Sequence, residues 1–160
     1  MADKMILNMD RVMNPVPVSF KNEIEGLERG LLLEIVGKAT NNHWLDSLED
    51  FEAYKVQLAN ANTKKGDLLV HTTVPKQYDE RLTERDFALE KGKIGRGHYI
   101  QKGDEYTFAE AMVADVSAIG DEVQLAADGK LAKVTDGEAV GEVIRIYNWN
   151  GQDSITIRFY

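Results

Sequence analysis

Cysteine is absent from the 160 residues. That excludes disulfide scaffolds, thiolate zinc sites, iron–sulfur clusters and cysteine nucleophiles together. Proline is scarce at 3 residues, and aromatics are 8% against 43% hydrophobic residues overall. This is the composition of a folded chain, not of a low-complexity one. Basic residues are in deficit: 19 Lys and Arg face 27 Asp and Glu, a formal net charge of −8. Sequence-independent nucleic-acid binding needs Lys and Arg to neutralise phosphates, so no nucleic-acid partner is expected. No apolar run approaches the roughly 18 residues of a membrane span, so no membrane association is expected either. The start, Met1-Ala-Asp-Lys-Met5, has no continuous apolar core before Asn14-Pro15 and is not expected to act as a signal peptide. The charge deficit is regional. Residues 101–160 hold 5 basic and 11 acidic side chains, whereas residues 1–100 are nearly balanced.

Motifs for chemistry are also missing. His43, His71 and His98 lie 28 and 27 residues apart and form no ligand cluster in sequence. His71 falls within an apolar run and is expected to be a hydrogen-bonded residue. None of Ser19, Ser47, Ser117 and Ser154 sits in a Gly-x-Ser-x-Gly elbow. The string Gly92-Lys-Ile-Gly-Arg-Gly97 fits neither the Walker phosphate loop nor the dinucleotide fingerprint. It reads as a flexible, positively charged turn. The expectation is therefore no enzyme, no metal and no cofactor.

What is present is β pattern. Leu31-Leu-Leu-Glu-Ile-Val36 is a short apolar run between glycines, the form of a buried strand. Tyr54–Leu58 and Leu68–Val74 follow as strands. Asn41–Asp50 reads as a loop with a possible helical turn, and Asp86–Glu90 as a short helix or an irregular crossing. Beyond residue 100, short alternating segments are separated by Gly-Asp, Asp-Gly and Asn-Gly pairs at 103–104, 120–121, 128–129, 136–137 and 150–151. Asp-Gly and Asn-Gly favour hairpins because both residues tolerate positive φ. In Ile155–Phe159 the apolar residues share one face, with Thr156 and Arg158 on the other. The fold class expected is mainly β: a small β-barrel, β-tulip-like or sandwich domain with little helix. Residues 1–26 differ. Met1, Met5, Met9 and Met13 recur every four residues, and Pro15 and Pro17 then break any helix. This stretch reads as an N-terminal arm, either a short amphipathic helix or an extended segment. Residues 27–160 form the β-rich domain, with a possible subdivision near 64–92.

The segments Gly92–Ile100, Gly103–Phe108, Ala114–Gly120, Asp128-Gly-Lys130 and Gly141–Ile146 resemble those of capsid decoration, or head-stabilising, proteins of tailed bacteriophages. The likeness covers about residues 65–160 and rests on short strands, Gly-Asp turns and small residues. It implies a virion structural protein on the capsid exterior, present in the host cytoplasm during assembly. Its partner would be the major capsid protein, and it would work as a homotrimer that clamps adjacent capsid subunits. The apolar arm residues Ile6, Leu7, Val16, Val18 and Phe20 would then seat in the capsid. Two alternatives remain at this stage. One is another virion component, such as a head-fibre base or tail protein. The other is a carbohydrate or small-ligand module that stacks on Trp44, Trp149, Tyr147 and Tyr160.

Overall fold

The computed structural model describes residues 7–13, 15–38, 53–73, 88–149 and 151–160. Among these residues it is mainly β, with 3₁₀ turns at 65–67, 110–112 and 127–129. Five strands close into a small barrel: β2 (Pro17–Lys21), β4 (Leu32–Lys38), β5 (Ala53–Leu58), β6 (Leu68–His71) and β8 (Ile94–Tyr99). Their order around the barrel is β2-β5-β4-β6-β8, with β2 and β5 parallel and the other pairs antiparallel. A two-stranded clasp, β3 (Leu27–Glu28) with β7 (Ala88–Leu89), accompanies it.

Seven more strands form one sheet. These are β1 (Leu7–Arg11), β9 (Glu105–Ala109), β10 (Val113–Ala114), β11 (Glu122–Leu125), β12 (Leu131–Lys133), β13 (Ala139–Trp149) and β14 (Gln152–Phe159). Their order is β1-β9-β14-β13-β11-β12-β10. The expected mainly β fold with a barrel is therefore observed. The long β13–β14 hairpin closes on the pair Trp149↔Gln152. The β11–β12 hairpin turns at Asp128-Gly129.

Two hydrophobic cores result. Val18, Phe20, Leu27, Leu33, Val56, Leu69 and Leu89 make the barrel core. Tyr106, Phe108, Val123, Leu131, Val143, Ile155, Ile157 and Phe159 lead the sheet core, together with Leu32, Leu68 and Val70. Strands β4 and β6 thus serve both. Leu33 and Leu69 face into the barrel, while their neighbours Leu32, Leu68 and Val70 face the sheet. Alternating side chains point to opposite faces of a strand, so a run that is apolar at consecutive positions suits a strand buried on both sides.

Close approaches at two glycines fit these parts together. The string 92–97 is not the expected flexible turn: the turn is confined to Lys91-Gly92, and residues 94–99 are barrel strand β8. Gly95 pairs with Phe20 across the β2–β8 ladder. A Cβ at Gly95 would stand 2.8 Å from the Phe20 ring and 2.5 Å from Leu89. The barrel is narrow, and the missing side chain makes room for the aromatic one. At Gly129, where φ is +70°, a Cβ would stand 2.5 Å from the Leu32 carbonyl oxygen. The Gly129 amide donates to Ala59 O at 2.9 Å, and the Ala59 amide donates to Leu32 O at 3.0 Å. The β11–β12 turn is thereby stitched to barrel strands.

The Gly-Asp pairs are structural. Asp104 accepts from the Gln101 amide at 2.9 Å. Asp121 accepts from the Ser117 and Ala118 amides at 3.1 and 3.0 Å, and those bonds, with Lys133, hold its carboxyl below the usual range. In both cases the carboxylate ties off the turn that precedes it.

Asn22 is fully buried where β2 leaves the barrel. Its side-chain amide donates toward Ile24 O at 2.8 Å and Leu89 O at 2.9 Å, with Glu90 O at 3.1 Å, and its Oδ1 accepts the Ile24 amide at 2.9 Å. One side chain therefore holds both the 23–26 turn and the clasp strand β7. Asn22→Ala strands the buried Leu89 carbonyl and three partly buried backbone groups, and a buried group left unpaired costs roughly 1–3 kcal/mol. The variant is expected to lose about 2–4 kcal/mol of stability, measured by urea denaturation, with the slope of the transition unchanged.

Candidate partner-binding surface

Of the five residues expected to meet a partner, Val16, Val18 and Phe20 have described side chains. Ile6 lies outside the described residues. Leu7 begins β1 and pairs in register with Phe108. Val16 is 44% exposed and precedes β2. Val18 and Phe20 are buried in the barrel core at 6% and 0% exposure. Both side chains fill the barrel core with Leu33, Val56 and Leu69. The physical reason is the alternation Val16-Pro-Val-Ser-Phe20, which matches a half-buried strand. Proline is admissible at the first strand position, where Pro17 stands.

Two further apolar side chains near Val16 in sequence are exposed. Met9 on β1 is 42% exposed, and Met13 in the connection to β2 is 75% exposed. Met9, Met13 and Val16 follow one another along the chain from the edge strand of the sheet to the barrel. Met9 and Met13 belong to the series of methionines spaced four residues apart. Their period of four suggests a helix, whereas the segment that carries Met9 is a strand.

β1 borders the seven-stranded sheet, with β9 on one side and no strand on the other among the described residues. The register runs Leu7↔Phe108, Asn8↔Thr107, Met9↔Tyr106 and, after a bulge, Arg11↔Glu105. A polar lock holds the pair. Thr107 is fully buried, and its hydroxyl donates to the Asp10 carboxylate. With its one proton spent there, the Thr107 oxygen accepts from Thr156 at 2.9 Å and Tyr147 at 3.3 Å. Thr156 is also buried, so this side of β14 is not simply a solvent face. The Arg145 guanidinium lies over the Tyr147 ring at 5.2 Å, a cation–π arrangement. The bulge and the charged Asp10 and Arg11 are features that keep an edge from pairing indiscriminately.

The other candidates from sequence are distributed as follows. His43 and Trp44 lie outside the described residues. Trp149 is half-buried and packs against the sheet core, so its ring is not a free stacking face. Tyr160 is 37% exposed, donates to Glu122 at 2.9 Å and lies 5.8 Å from the Lys65 ammonium. One cleft of about 340 Å³ is lined by Glu110, Gln152 and Asp153. Another, of about 350 Å³, lies between Lys64 and Lys65 on one wall and Gln124 and Glu138 on the other. No grouping of three or more His, Asp or Glu side chains among the described residues is placed to hold a metal ion.

His71 is fully buried and hydrogen-bonded, as its position in an apolar run predicts. Nδ1 donates to the Glu28 carbonyl at 2.8 Å, and Nε2 accepts from Thr73 at 2.7 Å. That pairing fixes one neutral tautomer, because a carbonyl can only accept. Phe20 meets the ring edge-on at 5.6 Å. Burial is the main cause that lowers the His71 pKa to about 4; the Glu28 bond opposes the shift and the Arg29 charge adds to it. Between pH 4 and 6.5 the unfolded chain therefore takes up a proton at His71 that the folded chain refuses. This contribution leaves stability intact above pH 6.5 and lowers it as pH falls toward 4, by up to about 3 kcal/mol. Denaturation of wild type and His71→Gln between pH 4 and 7 is expected to show a shallower pH slope in the variant. Equal slopes would remove His71 from the acid response.

No protein-family model and no curated protein matches the sequence. Among solved structures, the chain is similar to the N base of the head fibre gp8.5 of bacteriophage phi29. The superposition has a TM-score of 0.50 at 11% identity, over 92% of this chain and 95% of that one. Coverage of this extent takes in strands of both the barrel and the seven-stranded sheet. The likeness is one of fold, over the share of each chain that the superposition covers.

Proposed function

We propose that this chain is a structural component of a tailed-phage virion, mounted on the outside of the head as the base of a head fibre. Its work is binding, not chemistry. The observation that carries the reading is the fold similarity to the phi29 head-fibre base, over 92% of this chain and 95% of that one. A partial match to a common barrel would carry much less, because fold alone does not fix function.

The partner in this reading is the major capsid protein, met by a homotrimer. The contact surface is the exposed apolar series Met9, Met13 and Val16, with Leu7 and Ile6 upstream. Val18 and Phe20 are left to the barrel core. Each well-buried apolar side chain adds roughly 1.5–3 kcal/mol before ordering costs, and a trimer multiplies a modest contact by three. The acidic balance keeps many copies soluble while heads assemble.

Head-clamping is the second reading, suggested by the resemblance of residues 65–160 to decoration proteins. It uses the same partner, so the two readings separate by consequence. Cosedimentation with heads assembled from the cognate major capsid protein is expected to pellet the wild-type chain. Met13→Asp/Val16→Asp, altered only at exposed sites, is expected to bind at least tenfold more weakly. Bound protein that leaves the heat stability of the heads unchanged favours a fibre base, whereas a raised stability favours a clamp. Failure of the wild type to pellet would overturn the virion reading. Light scattering that gives a concentration-independent monomer would overturn the trimer.

A further inference from the structure

We infer that the seam between the barrel and the seven-stranded sheet binds an internal water molecule, hydrogen-bonded to the Tyr106 hydroxyl and to Nδ1 of His98. The virion reading plays no part in this.

Two buried polar atoms carry it. Tyr106 is 0% exposed, and its hydroxyl oxygen has no hydrogen-bond partner in the protein. Nδ1 of His98 is likewise buried and unpartnered, although the residue as a whole is half-buried. Folded proteins rarely leave such groups unpaired, because each gives up a bond to solvent on burial. His71, on the adjoining strand β6, has the ordinary arrangement, with both ring nitrogens bonded to protein atoms.

The strand register brings both atoms to the same seam. His98 lies opposite Val70 in the β6–β8 ladder. Opposed residues place their side chains on one face, and Val70 belongs to the sheet core. Ile100, two residues beyond His98, packs on that core as well. Leu69 and Tyr99, the adjacent pair, go instead to the barrel core. His98 therefore stands on the outer wall of the barrel, toward the sheet. From the sheet side, Tyr106 on β9 sits in the same core, its ring 6.2 Å from that of Phe108 and 6.0 Å from that of Phe159. Residues 100–104 connect the two strands, and buried Asp104 is held there by the Gln101 amide. Both groups sense Asp104. Burial is the main cause that lowers the His98 pKa, and the Asp104 charge opposes it. Burial first, then Asp104, pushes the Tyr106 hydroxyl up. The phenol thus keeps its proton and the imidazole is mainly neutral at pH 7.

Neutrality selects the occupant. The phenol has a proton to donate, so the occupant must accept it, which a metal cation cannot do. A neutral imidazole presents either an acceptor or a donor at Nδ1. Water, with two protons and two lone pairs, serves both cases. Such a bridge ties barrel strand β8 to sheet strand β9 inside the molecule, where a water bonded to buried polar groups is part of the structure.

A high-resolution crystal structure of the wild-type chain is expected to show a water about 2.7–3.2 Å from both Tyr106 Oη and His98 Nδ1. No water there, a water bonded to only one of the two atoms, or a direct Tyr106–His98 bond would each overturn the proposal. In solution, ¹⁷O relaxation dispersion counts long-lived internal waters. Tyr106→Phe keeps the ring and is expected to lower that count by one. An unchanged count in the folded variant would overturn the proposal. The crystallographic measurement uses the wild type alone and decides the matter whether or not the variant folds.

Discussion

Burial of two barrel strands on both faces is the constraint from which the rest of the structure follows. β4 and β6 carry Leu33 and Leu69 into the barrel and Leu32, Leu68 and Val70 into the core beneath the sheet. Neither core closes without these strands. The barrel supplies one wall of the sheet core, and the sheet covers a barrel wall whose leucines would otherwise be exposed. Burial of each such side chain is worth roughly 1.5–3 kcal/mol, so separating the lobes would expose several at once. The Gly129 turn, bonded to Ala59 and close against the Leu32 carbonyl, adds a backbone tie between sheet and barrel.

Much of this was legible in the sequence because it is local. The apolar run 31–36 read as a buried strand, and β4 occupies Leu32–Lys38. The Asn-Gly and Asp-Gly turns between alternating segments marked the β13–β14 and β11–β12 hairpins. What stayed hidden is set at long range. The glycines at 95 and 97 read as a loop because their β2 partners, Phe20 and Val18, lie far away in sequence and only the barrel brings them near. Phe20 itself read as part of an arm because Pro15 and Pro17 dominate their surroundings. A continuous apolar run announces two buried faces but not that they belong to two different cores.

The candidate surface was legible only in part, for the same reason. Exposure of Val16 and burial of Val18 differ by a strand's alternation, and the faces of that strand are decided by barrel closure. The Asp10–Thr107–Thr156–Tyr147 network joins β1, β9 and the β13–β14 hairpin, three parts of the chain remote in sequence. No motif announces it. The region combines an edge strand with a proline-bearing connection. It offers backbone, apolar side chains and one specific polar lock.

If β4 and β6 truly bind two cores into one, the chain unfolds as a single cooperative unit. Calorimetry of wild type, Leu68→Ala and Leu69→Ala tests this most directly. Leu68 faces the sheet core and Leu69 the barrel core. The account predicts one transition in all three proteins, with calorimetric and van't Hoff enthalpies equal and both variants lowering the same midpoint. Two transitions, with Leu68→Ala moving only one and Leu69→Ala only the other, would contradict it.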